Sequence, residues 1–389
     1  MQLYFDNAAT SFPKPQVVIG AMAAYQNDCG ASPGRGAYRS ANGATKLLDL
    51  CRGQLCTLVH APSHEHCIFT LNCTDALNLA IIGTATHFLA LGEPVHIVTT
   101  AMAHNSVLRP LSELAQRGVT HTVVPVDPIT GLVDPVDVKN AITKYTKLVV
   151  VAHGSNVTGT VQDIKTIGAI CEEIPFLVDA AQTMGHINID VQKMNIAMLA
   201  FPGHKGLLGP LGTGGLIIKP GIEHTLAPIR TGGTGSASEF PVQPSNMPDK
   251  YESGSHNMVG IAGLSASLSW ILERGVQALQ EREQELCELF LRNTKNLSGV
   301  SVVGPRTENR CGVFSLRFDE NPLEIAIQLE TEFGIQSRAG LHCAPFAHET
   351  MGTSNCNGTV RVSFGAFHTE EDITYLSNTI STITQKVLS

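Results

Sequence analysis

The sequence predicts an α/β protein, with a large domain built on a mostly parallel sheet followed by a smaller α+β domain. Three observations carry this expectation. Between residues 67 and 179, short apolar runs rich in β-branched residues alternate with helical stretches, the pattern of a parallel sheet covered on both faces. Near Gly254 the character changes to long helices followed by separate strands. The chain also has 389 residues, 43% of them hydrophobic, enough for two or three domains with large cores.

The elements follow in order. The chain opens extended at Tyr4-Phe5-Asp6-Asn7-Ala8-Ala9-Thr10. Pro15 starts a helix expected to run to about Asp28, where Gly30, Pro33, Gly34 and Gly36 break it. A second helix is expected over 41–59. Strands are expected at 67–70, 95–98, 120–124, 148–152 and 176–179, separated by helices near 75–86, 105–117, 134–142 and 161–173. A buried strand at 196–200 leads into Phe201-Pro202-Gly203-His204-Lys205-Gly206. Beyond Gly254 come helices over 257–273 and 276–296, strands at 300–303 and 312–318, a helix at 321–333, a strand near 359–364 and a last helix from 369. The domain limits read as 1–15 for an N-terminal segment, 16–255 for the large domain and 256–389 for the small one.

Composition excludes several classes of function. A net charge of -8, from 26 Lys and Arg against 34 Asp and Glu, argues against binding nucleic acid or an anionic membrane surface. The N-terminus lacks a signal-peptide pattern and no apolar run is long enough to span a bilayer, so a cytoplasmic protein is expected. The 10 cysteines are scattered without a C-x-x-C pair, which predicts reduced thiols rather than disulfides. His60, His64, His66 and Cys67 cluster without the spacing of a standard zinc site, and no metal is expected. The glycine-rich stretch 231–238 matches neither a dinucleotide fingerprint nor a Walker sequence and is expected to be a mobile surface loop.

The chemistry centres on Lys205. It follows a buried strand and sits among glycines and prolines, so partial desolvation should lower its pKa and suit it to a Schiff base. Asp179 ends a strand, where a carboxylate can pair with a protonated pyridine nitrogen. Gln182, three residues on, can donate to a phenolic oxygen. Thr74 precedes a helix, so its hydroxyl and the neighbouring N–H groups make a phosphate site. His104 can stack on a cofactor ring, and Asn156 can bond a cofactor oxygen or a substrate carboxylate. Alone, each has a plainer reading as loop residue, cap or turn. Together, at the strand ends where ligands of parallel sheets lie, they suit pyridoxal 5'-phosphate (PLP).

The order Thr74, His104, Asn156, Asp179-Ala180-Ala181-Gln182 and Gly203-His204-Lys205 resembles class V of the fold-type I PLP enzymes, most closely the cysteine desulfurases and selenocysteine lyases. The resemblance covers essentially the whole chain. It implies a large domain with a seven-stranded-type, mostly parallel sheet, and an N-terminal segment packed beside the small domain. It also implies a homodimer in which Ser255 reaches the partner's cofactor phosphate, with Cys73 and His204 beside the cofactor of their own chain. Arg338-Ala339-Gly340-Leu341-His342-Cys343-Ala344 is similar to the nucleophile loop of the second group of desulfurases, Arg-x-Gly-x-His-Cys-Ala. Cys343 is thus the candidate nucleophile, with His342 and Arg338 expected to lower its pKa. Arg361 matches the arginine that binds the substrate α-carboxylate, and Arg35 a second active-site arginine.

The implied reaction converts L-cysteine to L-alanine and leaves a persulfide on Cys343 for a thiol or protein acceptor; L-selenocysteine would enter the same path. The same core also suits transamination, epimerisation or kynureninase-like cleavage, or a sulfur-carrier scaffold that binds PLP without turnover. Pro202 stands where the family often has a phosphate-binding serine, which predicts a phosphate cup built differently. Cys73 and Ser255 replace common hydroxyl residues, and Leu341 replaces a frequent histidine.

Overall fold

In the computed structural model, which describes residues 2–34, 36–236, 238–306 and 310–388, the alternating runs form one seven-stranded sheet. The chain begins with β1 (Leu3–Tyr4), α1 (Gln16–Ala24), which continues as a π-helical turn over Tyr25–Cys29, and α2 (Arg39–Val59). The large sheet and its covering helices follow as β2 (Cys67–Thr70), α3 (Cys73–Ala90), β3 (His96–Thr100), α4 (Asn105–Ala115) and β4 (Thr120–Val124). They continue through α5 (Pro135–Ala141), β5 (Thr146–Ala152), α6 (Ile164–Cys171), β6 (Phe176–Asp179), β7 (Met198–Pro202) and β8 (Gly214–Ile218). The strand order is β2-β8-β7-β6-β5-β3-β4, and only β8 runs against its neighbours.

Alternate side chains of a strand face opposite sides of the sheet. Val149, Val151, Val178 and Leu199 therefore enter one apolar cluster, while Leu148, Val150, Leu177 and Met198 enter another on the opposite face. Burial on both faces explains why these strands read as continuous apolar runs. Each such side chain contributes about 1.5–3 kcal/mol by leaving water. The result is a rigid frame whose strands β2, β3, β5, β6 and β7 all end at the same edge, and Thr74, His104, Asn156, Gln182 and Lys205 lie on the segments just beyond that edge.

The rest of the chain forms α7 (Met258–Arg274), α8 (Val276–Thr294), β9 (Val300–Val303), β10 (Val313–Phe318), α9 (Pro322–Phe333), β11 (Ile335–Gln336), β12 (Arg338–Gly340), α10 (Pro345–Thr350), β13 (Thr359–Ser363) and α11 (Glu370–Leu388). A four-stranded antiparallel sheet, β12-β13-β10-β9, packs its apolar face on α8 and α11. Phe314 lies at its centre, 4.7 Å from the Phe290 ring and 5.1 Å from Phe364. The N-terminal segment enters the same core. β1 pairs in parallel with β11, Phe5 is fully buried, and Ser363 N–H donates to the Phe5 carbonyl at 2.6 Å.

Two expectations need adjusting. A domain boundary at 256 assigns α7 to the small domain, yet Met258, Ile261, Leu264, Leu268 and Ile271 pack in the same cluster as Leu48 and Leu55 of α2. The change of core follows α7 because its apolar face covers α1 and α2 rather than the antiparallel sheet. The described part of the glycine-rich stretch is also tied down: Gly232 N–H donates to Gln243 Oε1 at 3.0 Å and Gly254 N–H to the Gly233 carbonyl at 2.8 Å. Among the described residues no helix is long and apolar enough to cross a membrane.

Candidate active site

A cavity lies at the carboxyl edge of the large sheet, and Cys73, Thr74, His104, Asn156, Asp179, Gln182, Pro202, His204 and Lys205 all line it. Lys205 enters it from the turn after β7. That turn is tight: Gly203 N–H donates to the Thr213 carbonyl at 2.8 Å, and a Cβ on Gly203 would fall 2.1 Å from Thr213 Oγ1. Only glycine fits there. Burial holds the Lys205 ammonium below the ordinary lysine range; the Arg361 cation adds to this, and Cys73 and Asp179 oppose it. The lysine is thus biased toward the neutral, nucleophilic amine.

Asp179 is buried at the end of β6, and its Oδ1 accepts the Ala181 N–H at 2.9 Å and the Cys73 thiol at 3.5 Å. Burial, reinforced by the Asp179 carboxylate, pushes the Cys73 thiol well up and keeps it protonated as a donor. Cys73 therefore contacts the Asp179 end of the cavity through its side chain. Thr74 lies in the first turn of α3, and Asn72 is the cap. Asn72 Oδ1 accepts the Asp75 N–H at 2.9 Å, and Asp75 reaches back to the Leu71 N–H at 3.0 Å. This is the reciprocal logic of a capping box, legible in the Asn72-x-x-Asp75 spacing. Among the described residues, the N–H groups of Cys73 and Thr74 are left without a protein acceptor. With the Thr74 hydroxyl they make an anion site at a helix start.

His104 caps α4. Its Nδ1 accepts the Ser106 N–H at 3.0 Å, so the ring proton resides on Nε2. Burial lowers its pKa against the opposing pull of Asp179, and the imidazole is neutral. Ser106 Oγ lies 2.9 Å from that Nδ1 and 2.8 Å from Thr74 Oγ1. Sequence reading did not find Ser106, because its position follows only from the packing of α3 on α4.

The N-terminal segment closes one side. Gln182 Nε2 donates to the Ala8 carbonyl at 3.0 Å, which uses one of its two amide N–H groups. The His204 carbonyl accepts from Ser11 N–H at 3.0 Å, Thr10 Oγ1 and Ser11 Oγ at 3.1 Å, and Lys14 Nζ at 2.8 Å. These bonds fix the peptide just before Lys205. Burial lowers the Lys14 pKa to about 8 and that of the His204 imidazole to about 4.

The small domain brings the remaining groups. Cys343 is exposed, and its loop crosses the start of α4, where Asn105 N–H donates to the Cys343 carbonyl at 2.8 Å. Asn156 Nδ2 donates to the His342 carbonyl at 2.6 Å, while its own carbonyl accepts Arg361 Nη1 at 3.2 Å. Arg361 is buried, and its Nη2 pairs with Asp6 Oδ1 at 2.7 Å. Asp6 Oδ2 accepts Arg338 Nε–H at 3.1 Å.

The expected activation of Cys343 by His342 is not what the structure holds. The His342 ring is buried and turned to Thr359, whose hydroxyl donates onward to Ser315 and so accepts the His342 Nε2–H at 3.0 Å. Burial and the nearby Arg361 cation push the His342 pKa down to about 2, so it supplies no positive charge. Arg338 is engaged by Asp6. Arg361 is likewise engaged by Asp6, at 2.7 Å. Ser255 lies outside this cavity, in a separate depression with Arg230, Glu252 and His256. Arg35 lies outside the described residues.

Comparisons with known proteins agree with one another. The family model described as aminotransferase class-V matches residues 3–376. The chain is 34% identical over 386 residues to a probable cysteine desulfurase of Methanothermobacter thermautotrophicus, covering 98% of this chain and 94% of that one. It is 32% identical over 378 residues to a cysteine desulfurase of Yersinia pestis, covering 95% and 90% of the two chains. Its fold superposes on an apo structure of cysteine desulfurase from Thermococcus onnurineus NA1 with a TM-score of 0.90, at 30% identity, over 99% of this chain and 95% of the other.

Proposed function

The chain belongs to the aminotransferase class-V family, and from that membership we propose that it is a PLP-dependent cysteine desulfurase with Cys343 as the sulfur-accepting nucleophile. The carrying observation is the position of Asn156. Its side chain lines the cavity of Lys205 and Asp179 and holds the loop of Cys343, while its backbone carbonyl holds Arg361. One residue thereby ties the cofactor cavity to the group that binds substrate and the group that takes sulfur.

The cavity's residues fit PLP. The Thr74 hydroxyl and the unpartnered N–H groups of Cys73 and Thr74 suit its phosphate, the buried Asp179 carboxylate suits its ring nitrogen, and Lys205 suits its aldehyde. The neutral His104 ring supplies an aromatic wall and the remaining Gln182 N–H a donor. Bound there, PLP supplies an electron sink for the substrate's α-carbon.

Arg361 takes the α-carboxylate of L-cysteine. Asp6 and the Asn156 carbonyl use part of its fork of donors and fix its plane, and the remaining N–H groups orient the substrate. Lys205 Nζ removes the α-proton, a role its lowered pKa supports. The Cys343 thiolate then attacks the substrate sulfur. The C–S bond breaks, an S–S bond forms on Cys343, the carbon that carried sulfur takes a proton, and the Lys205 ammonium returns a proton to the α-carbon, giving L-alanine and an enzyme persulfide. Exposure of Cys343 leaves that sulfur accessible to a thiol or protein acceptor. Ser255, which lies outside its own chain's cavity, suits contact with the phosphate of a second copy in a homodimer.

The test is uptake of PLP with L-cysteine turnover. The protein should hold a chromophore absorbing near ~420 nm that borohydride bleaches, and release alanine from L-cysteine. Lys205→Ala should lose both. A protein that takes up no PLP contradicts the proposal.

A further inference from the structure

We propose that Ser106 is a direct ligand of the cofactor phosphate and supplies the hydroxyl that Pro202 does not. This rests on the reading of the cavity as a PLP site. Pro202 lines the cavity where β7 ends and offers neither a hydroxyl nor an N–H group. Ser106 lines the same cavity, is only 8% exposed, and holds its Oγ 2.8 Å from Thr74 Oγ1. Thr74 and Ser106 are each the second residue of a helix, α3 and α4, so the two hydroxyls meet where two helix starts converge. An anion reaching Thr74 is therefore also within reach of Ser106.

Proton accounting points the same way. Two hydroxyls carry two protons, and their mutual contact uses one. The other acceptor beside Ser106 Oγ is His104 Nδ1 at 2.9 Å, whose single lone pair already receives the Ser106 N–H at 3.0 Å. Among the described residues one hydroxyl proton thus has no good acceptor. A phosphate oxygen is a stronger acceptor than a shared imidazole lone pair, since charge-assisted bonds are roughly twice as strong as neutral ones. With phosphate bound, Thr74 and Ser106 both turn their protons to it, and His104 keeps its tautomer through the Ser106 backbone.

The experiment compares affinities of the apoprotein for PLP and for pyridoxal, the same ring without phosphate, by absorbance titration. Ser106→Ala should weaken PLP between about tenfold and a hundredfold, as expected for a lost hydrogen bond to a charged group, and leave pyridoxal unchanged. Ser106→Thr should retain PLP affinity, and Pro202→Ser should restore it in the Ser106→Ala protein. Should the alanine variant not fold, the nearly isosteric Ser106→Cys repeats the comparison with the same expected selectivity. Equal losses for PLP and pyridoxal overturn the proposal, because they mark a structural role through His104. Unchanged PLP affinity overturns it too, while leaving the PLP site intact. A wild-type protein that binds neither compound overturns both readings.

Discussion

Asp6 and Arg361 lie 355 positions apart in the chain and meet through a 2.7 Å hydrogen bond from Nη2 to Oδ1. The second Asp6 oxygen holds Arg338 at 3.1 Å, so one carboxylate at the start of the chain positions an arginine on β13 and another on β12. Arg361 is 2% exposed, and removing its partner strands a buried cation. Asp6→Asn should raise KM for L-cysteine about tenfold with less effect on kcat, as expected when a charged hydrogen bond that orients the carboxylate site is lost. Asp6→Ala should also lower unfolding free energy by about 3 kcal/mol, measured in urea. A fall in kcat at unchanged KM would contradict this role.

Asn156 should separate cofactor binding from sulfur transfer. Its side chain grips the His342 carbonyl at 2.6 Å, and so fixes the loop on which Cys343 stands. Asn156→Ala should slow single-turnover persulfide formation about tenfold, while PLP remains bound. If PLP affinity falls as far as the rate does, the residue acts on the cofactor rather than on the loop.

Buried histidines give the protein a defined acid sensitivity. Burial lowers the pKa of His153, His204 and His348 to about 4 and that of His342 to about 2. Each is neutral in the folded chain at a pH where it is protonated in the unfolded chain. The unfolded state therefore binds more protons below about pH 6.5, and stability falls as pH drops from there toward 4. The loss is about 1.4 kcal/mol per histidine and per pH unit at most. His342 and His348, with ring centroids 5.3 Å apart, will not contribute independently. Urea midpoints at pH 7 and pH 5 check this; an unchanged midpoint would contradict it.

What the sequence made legible follows from where its constraints are local. The central strands β5, β6 and β7 are continuous apolar runs because both faces are buried, and the residues at or just past their ends declared themselves by breaking the pattern: Asn156, Asp179, Lys205. β8 escaped notice because it opens on Gly214-Gly215. There a Cβ on Gly215 would fall 2.5 Å from Phe201 Cζ, a packing demand that no local propensity encodes. Ser106 and Asp6 escaped as site residues for the same reason, since their partners are remote in sequence. His342 misled by adjacency. Both it and Cys343 have positive φ, 47° and 58°, and the loop sends the histidine inward to Thr359 while the cysteine remains exposed.

The proposed role of Cys343 is to receive the sulfur. The most direct measurement is mass spectrometry of the Cys343 peptide after one turnover of L-cysteine without added thiol, with free alanine quantified in parallel. A mass increase of one sulfur atom on Cys343 and one alanine per persulfide are expected, with Cys343→Ser reducing alanine formation by at least ~1000-fold while PLP stays bound. Alanine and sulfide released at the wild-type rate by Cys343→Ser would contradict it.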